Sequence, residues 1–185
     1  MKRSSSVSLL AMGTVALSLT ACEEQTVDAA VFENVEQCGL TEGFTLAQCE
    51  TEHQNAVALH EDVAPKYTSI AACEADFGEG QCGTSETYQN QGGGSIFLPL
   101  MMGYMMGSML GGQSSFGSQP LYRSKDDPGT FRTANNAPVA KGTGVTNVPK
   151  STTARPAAKR YTVARGGFGS RAGTLGGTPR SSFGG

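Results

Sequence analysis

Apolar positions follow three patterns along this chain, and each predicts a different element. Behind Lys2 and Arg3 runs an apolar stretch from Val7 to Ala21, too short to span a hydrocarbon core of roughly 30 Å as a lasting anchor but the right length for the middle of a secretory leader. Residues 1–21 are therefore expected to be a signal peptide. Further on, Leu46, Cys49, Ala56, Val57, His60 and Val63 recur near helical period until Pro65 stops them, and Thr45 with Gln48 forms a capping-box pattern at the start. This is the strongest helix signal. The third pattern, Ile96 to Leu110, carries no charge. Gly103, Gly107 and Gly111 recur every fourth residue in it, the small-xxx-small spacing that lets helix backbones approach closely. Met101, Met102, Met105, Met106 and Met109 supply flexible, polarisable contact surface around them. A helix over 96–112 is expected; the fifteen uncharged residues from Ile96 to Leu110, of which Ser108 is polar, would reach only about 22 Å, short of a membrane span. Either it packs over the preceding module as missing core, or Gly103, Gly107, Gly111, Met102, Met105 and Met106 form an association surface for a partner or a second copy.

Cysteines refine the first half. Cys22 aside, Cys38, Cys49, Cys73 and Cys82 remain, an even number in an exported and oxidising setting, so two disulfides are expected. Their gaps contain no Cys-x-x-Cys knuckle of the kind zinc requires. An internal similarity bears on the pairing. Phe32 and Asn34 precede Cys38 as Tyr67 and Ser69 precede Cys73, and each unit ends in Gln-Cys, at Cys49 and Cys82. Asn34 and Ser69 are residue types that cap helix N-termini, and Gln37 completes a capping box with Asn34. If the units repeat, Cys38 joins Cys49 and Cys73 joins Cys82; crossed and nested pairings remain open. Residues 31–82 are thus expected to be an acidic, disulfide-stapled helical module, joined by a flexible, polar 83–95 linker to the apolar helix. His53 and His60 fall on one helix face, a weak metal or proton-switch pattern, while Glu50, Glu52, Glu61 and Asp62 are expected to form a solvated face.

Composition changes the picture for the second half. The 185 residues include 25 Gly, 8 Pro, no Trp and 38% hydrophobic residues, thin material for a core. The formal charge of −2 hides segregation. From Cys22 to Gly112 there are one base and fourteen acids, and from Gln113 onward eleven bases and two acids. With twelve Gly and six Pro in that basic part, residues 113–185 are expected to be a largely disordered tail, with a short extended element around Pro120 to Arg123 as the exception. The fold class expected overall is mainly α: a small helical module, a Met/Gly helix and this tail.

No nucleotide-binding, kinase, hydrolase or zincin motif is present, so no catalytic residues, cofactor or metal are assigned and an enzyme is not expected. The local chemistry points to an address instead. Leu19-Thr20-Ala21-Cys22 resembles a bacterial lipobox, in which the cysteine thiol receives diacylglycerol and becomes residue one. Residues 22–30 would then be the tether and Cys22 the lipidation site, with an acylated anchor that is effectively permanent. Glu23, not Asp, follows Cys22, a pattern that resembles an outer-membrane sorting signal. The expected location is the bacterial outer membrane, lipid-anchored and facing the periplasm. Arg165-Gly166-Gly167-Phe168-Gly169 and the terminal Phe183-Gly184-Gly185 resemble RNA-binding RGG segments, but an exported protein is not expected to meet nucleic acid. Anionic envelope polymers, phospholipid head groups or the acidic half of the same chain are the expected ligands of the tail.

Ala64-Pro65-Lys66-Tyr67, Cys73, the string from Glu74 to Cys82, the run from Phe97 to Gly107, Gln119-Pro120-Leu121-Tyr122 and Arg165 to Gly169 together resemble the YgiB family of bacterial lipoproteins. The likeness touches most of the mature chain, with a shorter linker before Ile96. It implies an envelope lipoprotein of unassigned biochemical activity, in a structural or protein-interaction role. Family members are encoded near proteins similar to glutathionylspermidine synthase, an ATP-grasp amide ligase. The alternative implied is therefore an accessory or regulatory factor for such a pathway.

Overall fold

The structure is a computed structural model that describes residues 24–85, 95–107, 116–158 and 168–169. The leader, Cys22, Glu23, most of the 83–95 linker, Met109, Gly111 and the tail beyond 158, apart from Phe168 and Gly169, lie outside the described residues.

The architecture is built on β-structure, which corrects the mainly α expectation. Six antiparallel strands form one sheet in the order β7-β6-β5-β4-β1-β8: β1 (Thr26–Phe32), β4 (Gly103–Gly107), β5 (Gln119–Ser124), β6 (Asp127–Thr133), β7 (Pro138–Ala140) and β8 (Gly144–Pro149). The sheet curls into a nearly closed barrel, with its edge strands β7 and β8 beside one another. Helices α1 (Val35–Gly39), α2 (Leu46–Val63) and α3 (Ile70–Phe77) cover one outer flank. A small ribbon of β2 (Cys82–Thr84) and β3 (Phe97–Pro99) closes the end beside α3, and a bridge from Tyr67 to Phe97 extends it.

Two expectations fall with the helical fold. The described part of the Met/Gly segment, residues 96–107, holds strands β3 and β4, not a helix, and β4 pairs with β1 on one side and β5 on the other. The basic tail is not disordered between residues 119 and 149: it supplies four of the six strands. Residues 26–30, expected in the tether, belong to β1. The reason lies in burial. Ala29 to Phe32 and Gly103 to Gly107 are buried at every position, since β1 and β4 are covered on both faces, and a strand covered on both faces loses the polar alternation that marks one.

Alternate residues of those strands serve two cores. Ala29, Val31 and Met105 point inward with Leu121, Phe131 and Val148 and fill the barrel. Ala30, Phe32, Tyr104 and Met106 point outward against Cys38, Cys49 and Ala56 of α1 and α2. A third core lies under the C-terminal end of α2 and under α3, where Leu59, Val63, Tyr67, Phe77, Leu98, Tyr122 and Phe168 meet.

The helices begin where their capping residues place them. Asn34, Thr45 and Ser69 each accept a hydrogen bond from a backbone N–H three residues on, and Thr45 with Gln48 completes a capping box. The Gln37 side chain accepts from the Glu33 N–H rather than that of Asn34. Helix α2 stops at Val63, with Ala64 as its cap before Pro65. Its buried face is Cys49, Ala56, Leu59 and Val63, whereas Leu46 and Val57, expected on it, are exposed.

Candidate functional site

Cys38 bonds to Cys49, tying α1 to α2, and Cys73 bonds to Cys82, tying α3 to β2. These are the pairings that the internal repeat favours. Four of the expected association residues lie in the interior. Gly103, Met105, Met106 and Gly107 are fully enclosed in β4, and Met102 is half-buried against the barrel core. Gly111 and Cys22 are outside the described residues.

His53 and His60 do not converge on a common site. The His53 ring meets Tyr104 edge-on, with centroids 5.4 Å apart, while the His60 Nδ1 lies 2.9 Å from the Tyr122 hydroxyl. Among the described residues, no three His, Cys, Asp or Glu side chains gather in a metal-holding arrangement. Glu61 is not simply a solvated face, for its carboxylate accepts a 2.6 Å hydrogen bond from the buried Ser85. Tyr104 is buried near Glu36 and Glu52, and its phenol is pushed up to about 12, chiefly by that burial.

Aromatic and polar side chains are densest where the third core opens. The Tyr67 hydroxyl donates to Asp76 at 2.8 Å. Lys66, itself buried, donates through Nζ to the Glu61 and Asp62 carbonyls at 2.9 and 3.0 Å, a cation placed on the otherwise orphaned carbonyls at the end of α2. Between these groups Phe77, Tyr122, Leu59 and Val63 line an apolar slot. Phe168 fills it. Its ring sits 4.7 Å from that of Phe77 and 6.1 Å from that of Tyr122, and it is only 4% exposed. The following residue is pinned by Asn136, in the turn between β6 and β7. The Gly169 N–H donates to Asn136 Oδ1 at 2.9 Å, and Asn136 Nδ2 donates to the Gly169 carbonyl at 2.9 Å.

Asn136 itself adopts φ 66°, a left-handed conformation that asparagine tolerates better than most residues. Arg132 steadies the same turn by donating to the Asn136 carbonyl at 3.2 Å while pairing with Asp127 at 2.9 Å. Gly169, at φ +90°, has no room for a side chain, since a Cβ there would run into the Asp126 carboxylate and the Ser124 side chain. The site is therefore a slot for an aromatic ring followed by a two-bond amide clamp that admits glycine.

Sequence reasoning missed Tyr67, Tyr122, Asn136 and Phe168 as a group, because they come together only through the barrel. The available signal was Phe168 itself, an aromatic set in an otherwise glycine- and arginine-rich stretch.

Residues 26–177 match the family described as DUF1190, a protein of unknown function. The chain belongs to that family. A UPF0441 protein of Serratia proteamaculans (strain 568) is similar to it, 37% identical over 165 residues that cover 82% of this chain and 74% of that protein. The resemblance to YgiB proteins falls within this same uncharacterised bacterial family. No solved structure matches the chain. The part of the chain shared with DUF1190 starts at the first residue of β1 and extends past Gly169, so it takes in the whole barrel and the segment in the slot.

His60 gives this DUF1190 domain a pH dependence. Burial pushes the imidazole below its ordinary value, with Lys66 adding to the effect and Glu61 opposing it. The unfolded chain therefore takes up a proton, at about pH 6.5, before the folded one does. Stability should be full above pH 7 and fall as pH drops through 6.5, by no more than about 1.4 kcal/mol per unit. Urea unfolding at pH 7.5 and pH 5.5 should show the loss in the wild type and a smaller one in His60→Gln. Equal losses in the two proteins would assign the effect to other groups.

Proposed function

We propose that this chain is an exported lipoprotein, held by acyl groups on Cys22 at the periplasmic face of the bacterial outer membrane, and that it works by contact rather than by turnover. The observation that carries the reading is the pair of short-range disulfides, Cys38–Cys49 and Cys73–Cys82, because such bonds persist in oxidising compartments and are rare in the cytosol. The leader pattern ending in Leu19-Thr20-Ala21-Cys22 supports the same compartment. Since β1 begins at Thr26, only Glu23, Glu24 and Gln25 separate the acylated cysteine from the barrel. At ~3.3–3.6 Å per residue the domain rides within about 14 Å of its anchor, close enough to touch head groups. Lys125, Lys141, Lys150 and Arg155 are exposed and offer positive charge to anionic lipids or envelope polymers. The polar side chains of the candidate site serve the fold: Lys66 caps a helix, Asp76 holds Tyr67, and the slot between them is occupied.

Labelling of cells with radioactive palmitate tests this reading. The wild-type protein should carry label, fractionate with outer membranes and resist thiol alkylation at the four paired cysteines; Cys22→Ala should carry no label and leave the membrane. Label retained by Cys22→Ala, or four thiols alkylated without prior reduction, would remove the proposal.

A further inference from the structure

The slot under α2 and α3 selects two adjacent features, an aromatic ring and a residue without a side chain. Phe168 supplies the ring, against Phe77 and Tyr122. Gly169 supplies the second feature, for two reasons: its φ of +90° is a conformation that side chains disfavour, and a Cβ would collide with Asp126 and Ser124. Both of its backbone polar groups are paired with Asn136, which fixes the segment in place. The slot therefore holds a Phe–Gly step, its ring packed in the third core and its glycine fixed by Asn136.

The same step occurs again fifteen residues on, as Phe183–Gly184, flanked by Ser182 and Gly185 as the first is flanked by Gly167 and Ser170. Small neighbours on both sides keep each pair sterically simple. The other Phe–Gly steps in the mature chain are committed to the fold: Phe77 is a wall of the slot, and Phe116 packs against the barrel core. Each molecule thus has one slot and two tail segments with a Phe–Gly step.

We propose that the slot is a Phe–Gly recognition site, that Phe168–Gly169 and Phe183–Gly184 are both its ligands, and that the pair left over in one molecule seats in the slot of a second copy. The binding step does not depend on the proposed lipid anchor. Confinement to a surface would only raise the effective concentration at which one tail meets the next slot. In the resting molecule the slot is filled from its own chain, so a ligand in trans meets few open sites and its apparent affinity is reduced by the open fraction.

Because Phe183–Gly184 of the same chain would refill a vacated slot, two variants are built on Phe183→Ala, and each empties the slot by a different route. Phe168→Ala removes the ring, and Gly169→Ala keeps the ring but evicts the segment through its positive φ and collision with the Ser124 Cβ, without deleting core volume. Full-length protein in mild detergent, checked by circular dichroism and by its two oxidised disulfides, would be titrated with a fluorescent peptide of residues 181–185, Ser-Ser-Phe-Gly-Gly. Both variants should bind it about tenfold or more tightly than the wild type, and adding Asn136→Ala should reverse the gain. Peptides with the Phe or the first Gly replaced by Ala should not bind. A folded Gly169→Ala protein that ignores the peptide, or binding that survives Asn136→Ala, would overturn Phe–Gly recognition. For the link between copies, acylated protein in lipid vesicles should give chemically crosslinked dimers that Phe183→Ala abolishes. Dimers undiminished in that variant would overturn exchange between molecules while leaving slot recognition to stand on the peptide data.

Discussion

Replacing Gly103 by alanine is expected to destabilise the domain by about 2–3 kcal/mol, although alanine is ordinarily the more favourable residue in a regular element. Gly103 is the first residue of β4, paired with Leu121 of β5 and packed against the end of β1. A Cβ placed there would sit 2.6 Å from the Phe32 carbonyl oxygen and 3.1 Å from the Phe131 ring. The ring could shift by a few tenths of an ångström. The carbonyl belongs to the backbone of β1, which is held by β4 on one side and β8 on the other, so relief requires moving a central strand. Gly129 in β6 is the control: nothing lies within 4 Å of a Cβ at that position, and Gly129→Ala should be neutral or raise stability by roughly 0.4–1 kcal/mol through the unfolded chain. The experiment also separates the two architectures for this segment. In an exposed association helix, Gly103→Ala would gain about 1 kcal/mol of helix propensity. In the barrel it loses stability, so the sign of the shift in urea midpoint decides between them. A Gly103→Ala protein as stable as Gly129→Ala would contradict the placement of β4.

That opposition explains how much of the fold was legible in advance. Local signals were read correctly wherever the physics is local. Asn34, Thr45 and Ser69 cap their helices because a short polar side chain satisfies N–H groups three residues on, and that need no distant partner. Cys38–Cys49 and Cys73–Cys82 close short loops for the same reason. The barrel was not legible. β1 pairs with β8, more than a hundred residues away, and with β4, so neither segment shows its role until the other has been placed. Gly103-Tyr104-Met105-Met106-Gly107 reads as uniformly apolar because helices cover one face and the barrel core the other. The glycine and proline content of the basic part suggested disorder, yet two of its strands, β5 and β8, pair with β4 and β1 of the acidic half, and β6 and β7 build on β5. The opposite charges meet directly where Arg123 pairs with Glu33 at 2.9 Å. Both side chains are partly exposed, so this pair is worth at most about 1 kcal/mol, and the strand ladders hold the halves together.

The candidate site was legible in fragments only. Phe168 and Gly169 stood out as an element of the tail, but as an RNA-like motif, since the wall that receives them is assembled from α2, α3, β5 and the turn after β6. Asn136 has no sequence context that marks it. Its importance comes from a left-handed backbone that aims its amide at one glycine.

Loss of both disulfides is expected to unfold the domain outright, while loss of either alone should leave it folded but weakened. The bonded cysteines are 11 and 9 residues apart, and closing loops of that size in the unfolded chain is worth about 3 kcal/mol each. Together that is about 6 kcal/mol, comparable with the whole stability of an ordinary domain, roughly 5–15 kcal/mol. Alanine is the replacement to use, because Cys38, Cys49 and Cys73 are fully buried and serine would add an unpaired hydroxyl to the core. The two pairs should differ in a second respect. Cys38–Cys49 lies against Phe32 and Tyr104, away from the slot, whereas Cys73–Cys82 anchors α3, which carries Phe77 and Asp76. Removing the latter should therefore loosen the Phe168–Gly169 contact as well, making the tail easier to cleave by limited proteolysis, while the Cys38/Cys49 double variant should lose stability without that change. Urea midpoints before and after reduction give the first comparison and protease cleavage rates the second. A reduced wild-type chain with an unshifted midpoint would mean that the barrel stands without its crosslinks, and a domain of that kind would have no physical need of an oxidising compartment.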